Sequence, residues 1–170
     1  MKPSHLRILK CCLSCLWLFV MAGCAATGPA TDDRPVAVAV WDLEDLSPAP
    51  HGKAGMGEFL AAQITATVGE MPNYEAVERV VLLKALEELN IGSSDLADDQ
   101  TRLKLGRVIG ARQMVFGAFQ VAGTALRIDL RRVDVATGKI VSTASDSASA
   151  DSLKGWLPAA GRAARELMAP

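Results

Sequence analysis

The chain has 170 residues, half of them apolar and 5% aromatic, and its 18 basic and 19 acidic side chains give a net charge of −1. This length fits one domain with a tail and leaves little room for two. The balanced charge argues against nucleic-acid binding, which needs a basic surface to neutralise phosphates. The four cysteines, at positions 11, 12, 15 and 24, lie too close to the N-terminus to staple or ligate anything in the body of the protein.

The N-terminus has the pattern of a secretory signal. Three basic residues and no acidic one precede an apolar stretch, residues 11–22, that is too short to span a bilayer as a resident helix. The segment ends in Met21-Ala22-Gly23-Cys24, which resembles the bacterial lipobox, with Met where Leu is usual. The resemblance implies cleavage after Gly23 and a lipid on the Cys24 thiol. The alternative is an ordinary signal peptide cut near Ala25-Ala26, with Cys24 incidental.

The lipobox resemblance divides the chain into a signal peptide at 1–23, a lipidated N-terminus and tether at 24–35, and a domain at 36–170. The tether is polar, contains Pro and Gly, and lacks periodicity. The mature chain would carry 15 basic and 19 acidic residues, a net charge of −4. Its acyl chains would hold it on a membrane. Ala25 after the cysteine, in place of Asp, implies the outer membrane in enterobacterial-type sorting, with the domain facing the periplasm.

The first part of the domain alternates strands and helices. Residues 36–43 are apolar at odd and even positions alike, which predicts a strand that is covered on both faces. Apolar spacing and helix-breaking residues then predict a helix over 54–71, a strand over 74–77, a helix over 79–90 and a helix from Asp98 or Asp99 to Gly110.

After residue 110 the apolar period changes to two. The pattern predicts strands over 112–121, 125–135 and 139–149, with the last near a sheet edge. Alternation slips at Arg131-Arg132, which suggests a bulge. A helix over 151–168 follows, broken or restarted at Pro158. The order β-α-β-α-α-β-β-β-α predicts a single α/β domain with a mixed sheet flanked by helices.

Groups for catalysis are scarce. His51 is the only histidine after the signal, and no cysteine follows Cys24. Nucleophilic Ser–His–Asp and Cys–His arrangements and zinc sites are therefore largely excluded. We predict a protein that is not an enzyme and that has no cofactor and no metal.

Two acidic groups are candidate ligand sites. Asp42, Glu44 and Asp45 follow the first strand, and open α/β sheets bind ligands at the carboxyl ends of their strands. A site for a divalent cation or a substrate is one interpretation; a solvated acidic loop is the other, and the shortage of further ligands favours it. Helix capping accounts better for the second acidic group, which consists of Asp95, Asp98 and Asp99.

A glycine-rich segment precedes the first helix, where phosphate loops occur. Gly52, Gly55 and Gly57, with Lys53 among them, match neither of the two common phosphate-binding spacings. Close packing of a helix on a strand is therefore preferred to nucleotide binding.

Three arginines form a basic stripe on the predicted meander. Arg127, Arg131 and Arg132 lie on a strand with one solvated face, so plain solvation is the first interpretation and contact with an acidic partner or lipid headgroups is the second. Trp156 and Phe59 could anchor a partner, but single aromatics at apolar helix positions are usually core.

Four segments, taken together and in order, resemble the CsgG-like curli assembly/transport family. They are Val36–Asp45 (VAVAVWDLED), Glu75–Arg79 (EAVER), Leu105–Phe119 (LGRVIGARQMVFGAF) and Val133–Val141 (VDVATGKIV). The glycines in the third segment have physical roles. We expect Gly106 to allow a close approach of the helix, Gly110 to end it, and Gly117 to let a neighbour press on the strand.

The resemblance implies a function through contacts. Related lipoproteins include activators of penicillin-binding proteins, a flagellar outer-membrane lipoprotein and holdfast-attachment components. We therefore expect an accessory or assembly factor that binds other envelope proteins during secretion, surface-structure assembly or cell-wall synthesis. The alternatives are a ring-forming, homo-oligomeric subunit of a CsgG-like secretion complex and, less favoured, a nucleotide- or cation-binding domain. The chain lacks the long membrane hairpins of the curli channel, because residues 121–124 and 136–139 are tight turns.

Overall fold

The computed structural model describes residues 34–48, 54–91 and 98–170. The elements in these ranges are β1 (Val36–Val40), β2 (Glu44–Asp45), α1 (Met56–Gly69), β3 (Tyr74–Ala76), α2 (Arg79–Glu88), α3 (Asp99–Val108), β4 (Gln113–Ala122), β5 (Ala125–Asp134), β6 (Ile140–Ser149) and α4 (Leu153–Met168). The predicted α/β order is confirmed, with the short β2 added. The predicted signal peptide and the tether up to residue 33 lie outside the described residues.

The strands form one mixed sheet with the order β3-β1-β4-β5-β6, and β2 pairs with β4 beyond the end of β1. β1 runs parallel to β3 and β4, whereas β4, β5 and β6 form an antiparallel meander. Parallel neighbours need crossover connections, which α1 supplies between β1 and β3. β6 ends the sheet, which confirms the predicted edge position.

Helices cover both faces of β1, as its unbroken apolar sequence predicts. Val38 and Ala39 are both 0% exposed although successive side chains point to opposite faces. Val38 belongs to the core beneath α1 and α4, and Ala39 belongs to a smaller core beneath α2 and α3. The larger core is filled by side chains that include Leu60, Ile64, Phe119, Ile128, Trp156 and Leu167.

The second face of the sheet is covered over only part of its width. α2 packs on β1 and α3 packs on β4, while the extensive contacts of β5 and β6 with a helix are those that α4 makes on the opposite face. The side chains of Arg127, Asp129, Thr143 and Ser145 on the second face are consequently exposed. This uncovered half of the sheet positions the candidate site.

The first strand is shorter than predicted because the chain changes partners after Val40. Trp41 N–H still donates to the carbonyl of Val115 at 2.9 Å, but Leu43 N–H donates to Gly57 of α1 at 3.3 Å. The chain then returns to the sheet, where β2 pairs with β4. The acidic residues after β1 therefore belong partly to a turn and partly to a short strand.

Two local predictions about strand and helix irregularity have different outcomes. The pairing of β5 with β6 shifts register between Arg132 and Val133, so the predicted bulge is confirmed within one residue. Pro158 does not break α4, which runs without interruption from Leu153 to Met168. It is exposed near the start of the helix, where water can solvate the carbonyl that a proline leaves without a partner. None of the helices in the described ranges is long and apolar enough to cross a bilayer.

Glycines set two close approaches in the core. A Cβ at Gly106 of α3 would lie 2.6 Å from Met114 Sδ, and a Cβ at Gly117 of β4 would lie 2.5 Å from Leu130 Cδ2. A side chain at either position would displace its neighbours, which confirms the expected roles of these two residues. Gly110 ends α3 with φ of +74°, also as expected.

Candidate functional site

A groove of about 990 Å³ lies on the uncovered half of the sheet. Its floor is formed by β4, β5 and β6. Trp41, Asp42 and Glu44 border it where β1 ends, and Arg102 of α3 borders it as well. The groove thus brings together the end of the first strand, which the sequence marked as acidic, and the basic stripe of the meander.

Strand register arranges the floor in rungs. Phe116, Arg131 and Thr143 lie side by side across the three strands, and Ala118, Asp129 and Ser145 form the next rung. Because side chains alternate between faces along a strand, all six point to the same side of the sheet. The floor therefore combines an aromatic ring, charged groups and hydroxyls in adjacent positions.

Two guanidinium groups lie against one aromatic ring. The Cζ atoms of Arg102 and Arg131 are each 5.5 Å from the centroid of the Phe116 ring, and Phe116 is only 4% exposed. A cation near the face of a ring is attracted by the ring's quadrupole. Phe116 therefore holds an arginine from a helix and an arginine from a strand at the same end of the groove.

Arg127 pairs with Asp129 on the same strand face. Arg127 donates from Nη2 to Oδ1 at 2.7 Å and from Nε to Oδ2 at 2.8 Å. Hydrogen bonding to Asp129 raises the pKa of the Arg127 guanidinium. Both side chains are more than half exposed, at 63% and 52%, so the pair contributes little to stability. It presents a positive and a negative group to the solvent in the groove.

The acidic cluster is divided among different partners. Asp42 forms a bidentate ion pair with Arg79, whose Nη2 lies 3.0 Å from Asp42 Oδ2, and Arg79 Nε also lies 3.3 Å from Glu58 Oε1. The hydrogen bond to Asp42 raises the pKa of Arg79. Asp45 Oδ1 accepts from the N–H of Ser47 at 2.9 Å. Arg79, at the start of α2, therefore links to the end of β1 through Asp42 and to α1 through Glu58.

Glu44 is the exposed acidic residue of β2 that lines the groove, and Asp45 is not part of the lining. In the residues that the structure describes, no three His, Cys, Asp or Glu side chains are grouped to hold a metal ion. The arrangement of Asp42, Glu44 and Asp45 gives no geometric support to a cation site there.

Arg132 does not belong to the basic stripe. It is 7% exposed and lies on the opposite face from Arg127 and Arg131, because it is one residue out of phase with them along β5. Arg132 Nη1 donates to the Tyr74 hydroxyl at 2.8 Å, and Nε donates to Ser142 Oγ at 2.9 Å. The prediction that groups Arg132 with a solvated stripe is wrong, and this residue has a structural role.

The glycine-rich segment packs a helix against a strand. A Cβ at Gly57 would collide with the carbonyl oxygen of Leu43, so glycine is needed for this approach. Gly55 has φ of +75° at the start of α1. The remaining candidates in this segment, His51, Gly52 and Lys53, lie outside the described residues.

Asp98 caps α3, as the sequence predicts. Its Oδ2 accepts from the N–H of Thr101 at 2.9 Å and from the Thr101 hydroxyl at 3.0 Å. These hydrogen bonds lower the pKa of the Asp98 carboxyl. Asp95 lies outside the described residues.

The two aromatic residues that could have anchored a partner differ in position. Trp156 is 1% exposed in the core and donates from Nε1 to the carbonyl of Ser149 at 3.1 Å, as expected for a core residue. Phe59 is 59% exposed, so its predicted core position is wrong. It lies on the face of α1 that points away from the sheet, because the buried residues Leu60, Ile64 and Val68 occupy the other face.

Sequence reasoning missed most of the groove lining, including two aromatic residues and an arginine. The sequence places Trp41 and Phe116 only in predicted strands and Arg102 in no site. The signal available for Phe116 was its alternation on β4. The missing information was the cross-strand register, which places it beside Arg131.

No protein-family model and no curated protein matches the chain. Several solved structures share its fold. The C-terminal domain of LpoB from Salmonella enterica matches with a TM-score of 0.56 and 13% identity, over 69% of this chain and 86% of that one. The same domain from Escherichia coli matches with a TM-score of 0.54 and 15% identity, over 78% and 93%.

The lipoprotein GNA1162 from Neisseria meningitidis matches with a TM-score of 0.51 and 20% identity, over 68% of this chain and 81% of that one. At these identities the likeness concerns the fold. The resemblance to the CsgG-like family stays a prediction, since no family model matches. What the comparisons show is that residues of this chain form the α/β fold seen in the LpoB C-terminal domain and in GNA1162.

Proposed function

We propose that the chain is a lipid-anchored protein of the outer membrane that faces the periplasm and acts as an accessory or assembly factor for another envelope protein. The Met21–Cys24 lipobox supports the anchor, with cleavage between Gly23 and Cys24 and the lipid on Cys24. Segment 24–35 would serve as a tether, and the domain at 36–170 would make the protein contacts.

The solved structures with the same fold support this proposal and indicate which class of partner protein to test first. LpoB is a penicillin-binding protein activator, and GNA1162 is a lipoprotein. An enzyme of cell-wall synthesis is therefore the first partner class to examine, ahead of a curli-like secretion complex. The ring-forming alternative remains a separate prediction that the groove does not require.

The observation that carries the proposal is the uncovered groove beside α3. Elsewhere the apolar side chains of the sheet lie beneath helices. Here Arg102 of α3, Arg127 and Arg131 of β5, and hydroxyl side chains line an open groove of about 990 Å³. Three further carboxylates line the groove, at Glu44, Asp129 and Glu166, besides Asp42, which is paired with Arg79. The guanidiniums of Arg102 and Arg131 both lie over the Phe116 ring. Guanidinium groups recognise carboxylates by paired hydrogen bonds. We infer that the partner segment carries carboxylates that bind the two guanidiniums beside Phe116.

The groove's chemistry favours binding over catalysis. Its described charged groups are guanidiniums and carboxylates, and its hydroxyls at Thr143 and Ser145 have no histidine among the lining residues to serve as a base. We propose an accessory protein that is not an enzyme.

Two measurements test the proposal. Fractionation of cells that express the full chain should place the protein with the outer membrane, and a Cys24→Ala variant should lose that association. Recovery of the unaltered protein in the cytosolic fraction would contradict the anchor.

The contact itself is tested by affinity purification from detergent-solubilised envelopes. We expect an identified envelope protein to copurify with the full chain and to be lost, by about tenfold or more, when Arg127 and Arg131 are both changed to Ser. The matched control changes Lys154 and Arg165 to Ser, which removes the same charge from exposed positions on α4. Equal losses in both double variants would exclude the groove, and retention on anionic vesicles alone would identify lipid headgroups as the ligand.

A further inference from the structure

We propose that β6 is a self-association edge, at which two copies of this chain pair antiparallel about a two-fold axis at Ser145. β6 is ten residues long and pairs with β5 alone, so one of its sides faces outward. A long exposed edge strand is a template for another strand. This inference concerns the backbone edge of β6, whose residues 143–145 also border the groove, and it does not rest on the groove contact.

The hydrogen-bond phase of β6 identifies the outward-pointing backbone groups. Ala150 N–H donates to the carbonyl of Thr124 at 2.8 Å, which makes these two residues a hydrogen-bonded pair of the β5–β6 ladder. Hydrogen-bonded and non-hydrogen-bonded pairs alternate along an antiparallel ladder. The N–H and C=O groups that point away from β5 therefore belong to every second residue: Thr143, Ser145, Ser147 and Ser149.

Two of these outward groups already have partners within the chain. Ser147 N–H donates to Asp146 Oδ1 at 2.6 Å, and the carbonyl of Ser149 accepts from Trp156 Nε1 at 3.1 Å. Across the described residues, no intramolecular hydrogen bond reaches the outward groups of Thr143 and Ser145 or the carbonyl of Ser147. The edge thus offers a short stretch of outward groups at 143–147, bordered toward the C-terminal end of β6 by groups that have partners within the chain.

A single register matches these groups in two copies. Centred on Ser145, the pairing sets Ser145 opposite Ser145 of the second copy and Thr143 opposite Ser147 of the second copy. Each Ser145 N–H then meets the other Ser145 carbonyl, and each Thr143 N–H meets a Ser147 carbonyl. Four hydrogen bonds form without displacing Asp146 from Ser147.

Charge and regularity exclude the neighbouring registers. A shift that centres the pair on Asp146 would place two carboxylates directly opposite each other, which is destabilising. A shift that centres it on Ala144 would draw in the irregular part of β6, where pairing with β5 changes register beside Arg132. In the Ser145 register the regular stretch 142–148 pairs with itself.

The α4 side of this edge is balanced in charge for self-association. Arg162 Nε donates to Asp146 Oδ2 at 2.7 Å in each copy. Two-fold pairing would gather two Arg162 and two Asp146 side chains near the axis, equal in number and opposite in sign. The residues that meet across the strands are small, namely Ser142, Thr143, Ala144, Ser145, Ser147 and Ala148. The backbones of the two copies can therefore approach to the usual strand spacing, and the second copy would supply hydrogen-bond partners for the outward N–H and C=O groups of β6.

The first test is the sedimentation of the full chain in detergent as a function of protein concentration. We expect a monomer–dimer equilibrium that Ser145→Pro weakens about tenfold or more, because Pro removes an outward N–H that β5 does not use. The matched variant Ser145→Ala keeps that N–H and should dimerise like the unaltered chain. A monomer at every concentration, or equal behaviour of the two variants, would overturn the proposal.

A second test fixes the register and does not depend on the proline variant folding. In a full chain whose four cysteines are replaced by Ser, Ser145→Cys should form an intermolecular disulfide, since the paired Cα atoms would be about 5.5 Å apart. Ser147→Cys should not, because its copies would be about 14 Å apart along the strands. Equal cross-linking of the two variants, or none from Ser145→Cys, would contradict the two-fold pairing.

Discussion

Arg132 and Tyr74 meet beneath the sheet, where the Arg132 guanidinium donates to the Tyr74 hydroxyl at 2.8 Å. The same hydroxyl donates to the carbonyl of Met168 at 3.0 Å, and Ser142, the other hydrogen-bond partner of Arg132, donates to the carbonyl of Leu167 at 2.8 Å. The last carbonyls of a helix lack intrahelical donors. Arg132 thus stabilises the two hydroxyls that cap the C-terminus of α4 and brings positive charge to the negative end of the helix dipole.

The Arg132–Tyr74 contact predicts a coupled loss of stability. Tyr74→Phe should lower the free energy of unfolding by about 1–3 kcal/mol, since it leaves a buried carbonyl and a buried guanidinium N–H without a partner. Urea unfolding of Tyr74→Phe, Arg132→Met and the double variant measures the effect. We expect a coupling energy of about 0.5–3 kcal/mol. Strictly additive losses would show that the two side chains act independently.

A side chain at position 106 should cause a steric clash in the core that the higher helix propensity of alanine cannot offset. A Cβ there would lie 2.6 Å from Met114 Sδ and 3.2 Å from Val135 Cγ2. Gly106→Ala should therefore destabilise the protein by about 1–3 kcal/mol in urea unfolding. Gly155→Ala is the matched helical control, because a Cβ there meets Ala148 at an ordinary 3.5 Å. The control should be neutral or slightly stabilising, and an equal loss in both would refute the close approach of α3.

The turn between β5 and β6 predicts a loss of stability in acid. Asp134 Oδ1 accepts from Thr137 Oγ1 at 2.6 Å and from Thr137 N at 2.8 Å, and these hydrogen bonds lower the pKa of the Asp134 carboxyl. A carboxyl with a lowered folded pKa stabilises the protein above its unfolded pKa, about 3.9. That contribution disappears as the pH falls through the folded value.

Urea unfolding between pH 6 and pH 2 tests this dependence. The stability advantage of the unaltered chain over Asp134→Asn should be largest at pH 6 and should shrink below about pH 4. Thr137→Val removes the hydroxyl donor and should reduce the same advantage. A difference between the chain and Asp134→Asn that stays constant with pH would contradict the assignment to these hydrogen bonds.

The sequence predicts the fold because each element carries its own periodicity. Val36–Val40 is apolar at every position and lies between two helical layers, whereas β5 alternates and has one solvated face. The boundary of β1 was not predictable, since the chain leaves β4 at Leu43 to bond with Gly57 of α1, a contact between distant segments.

The groove was only partly predictable, because its composition depends on register. The sequence marks Asp42 and Arg131 as candidates, but nothing in it pairs Asp42 with Arg79 or sets Phe116 beside Arg131. Arg132 shows the opposite error, since a shift of one residue along a strand moves a side chain to the other face. Local composition predicted the charges, while tertiary pairing decided which of them share a surface.

Site-directed photo-cross-linking tests the central claim, that the groove contacts another envelope protein, most directly. A photoreactive amino acid is placed at Thr143 in the groove or at Lys154 on α4, both exposed. After irradiation of cells expressing the full chain, we predict a defined adduct from position 143 to another envelope protein, distinct in mass from an adduct between two copies of the chain. This adduct should be absent from position 154 and lost when Arg131 is also changed to Ser. The same adduct from both positions, or no adduct from position 143, would contradict the proposed docking surface.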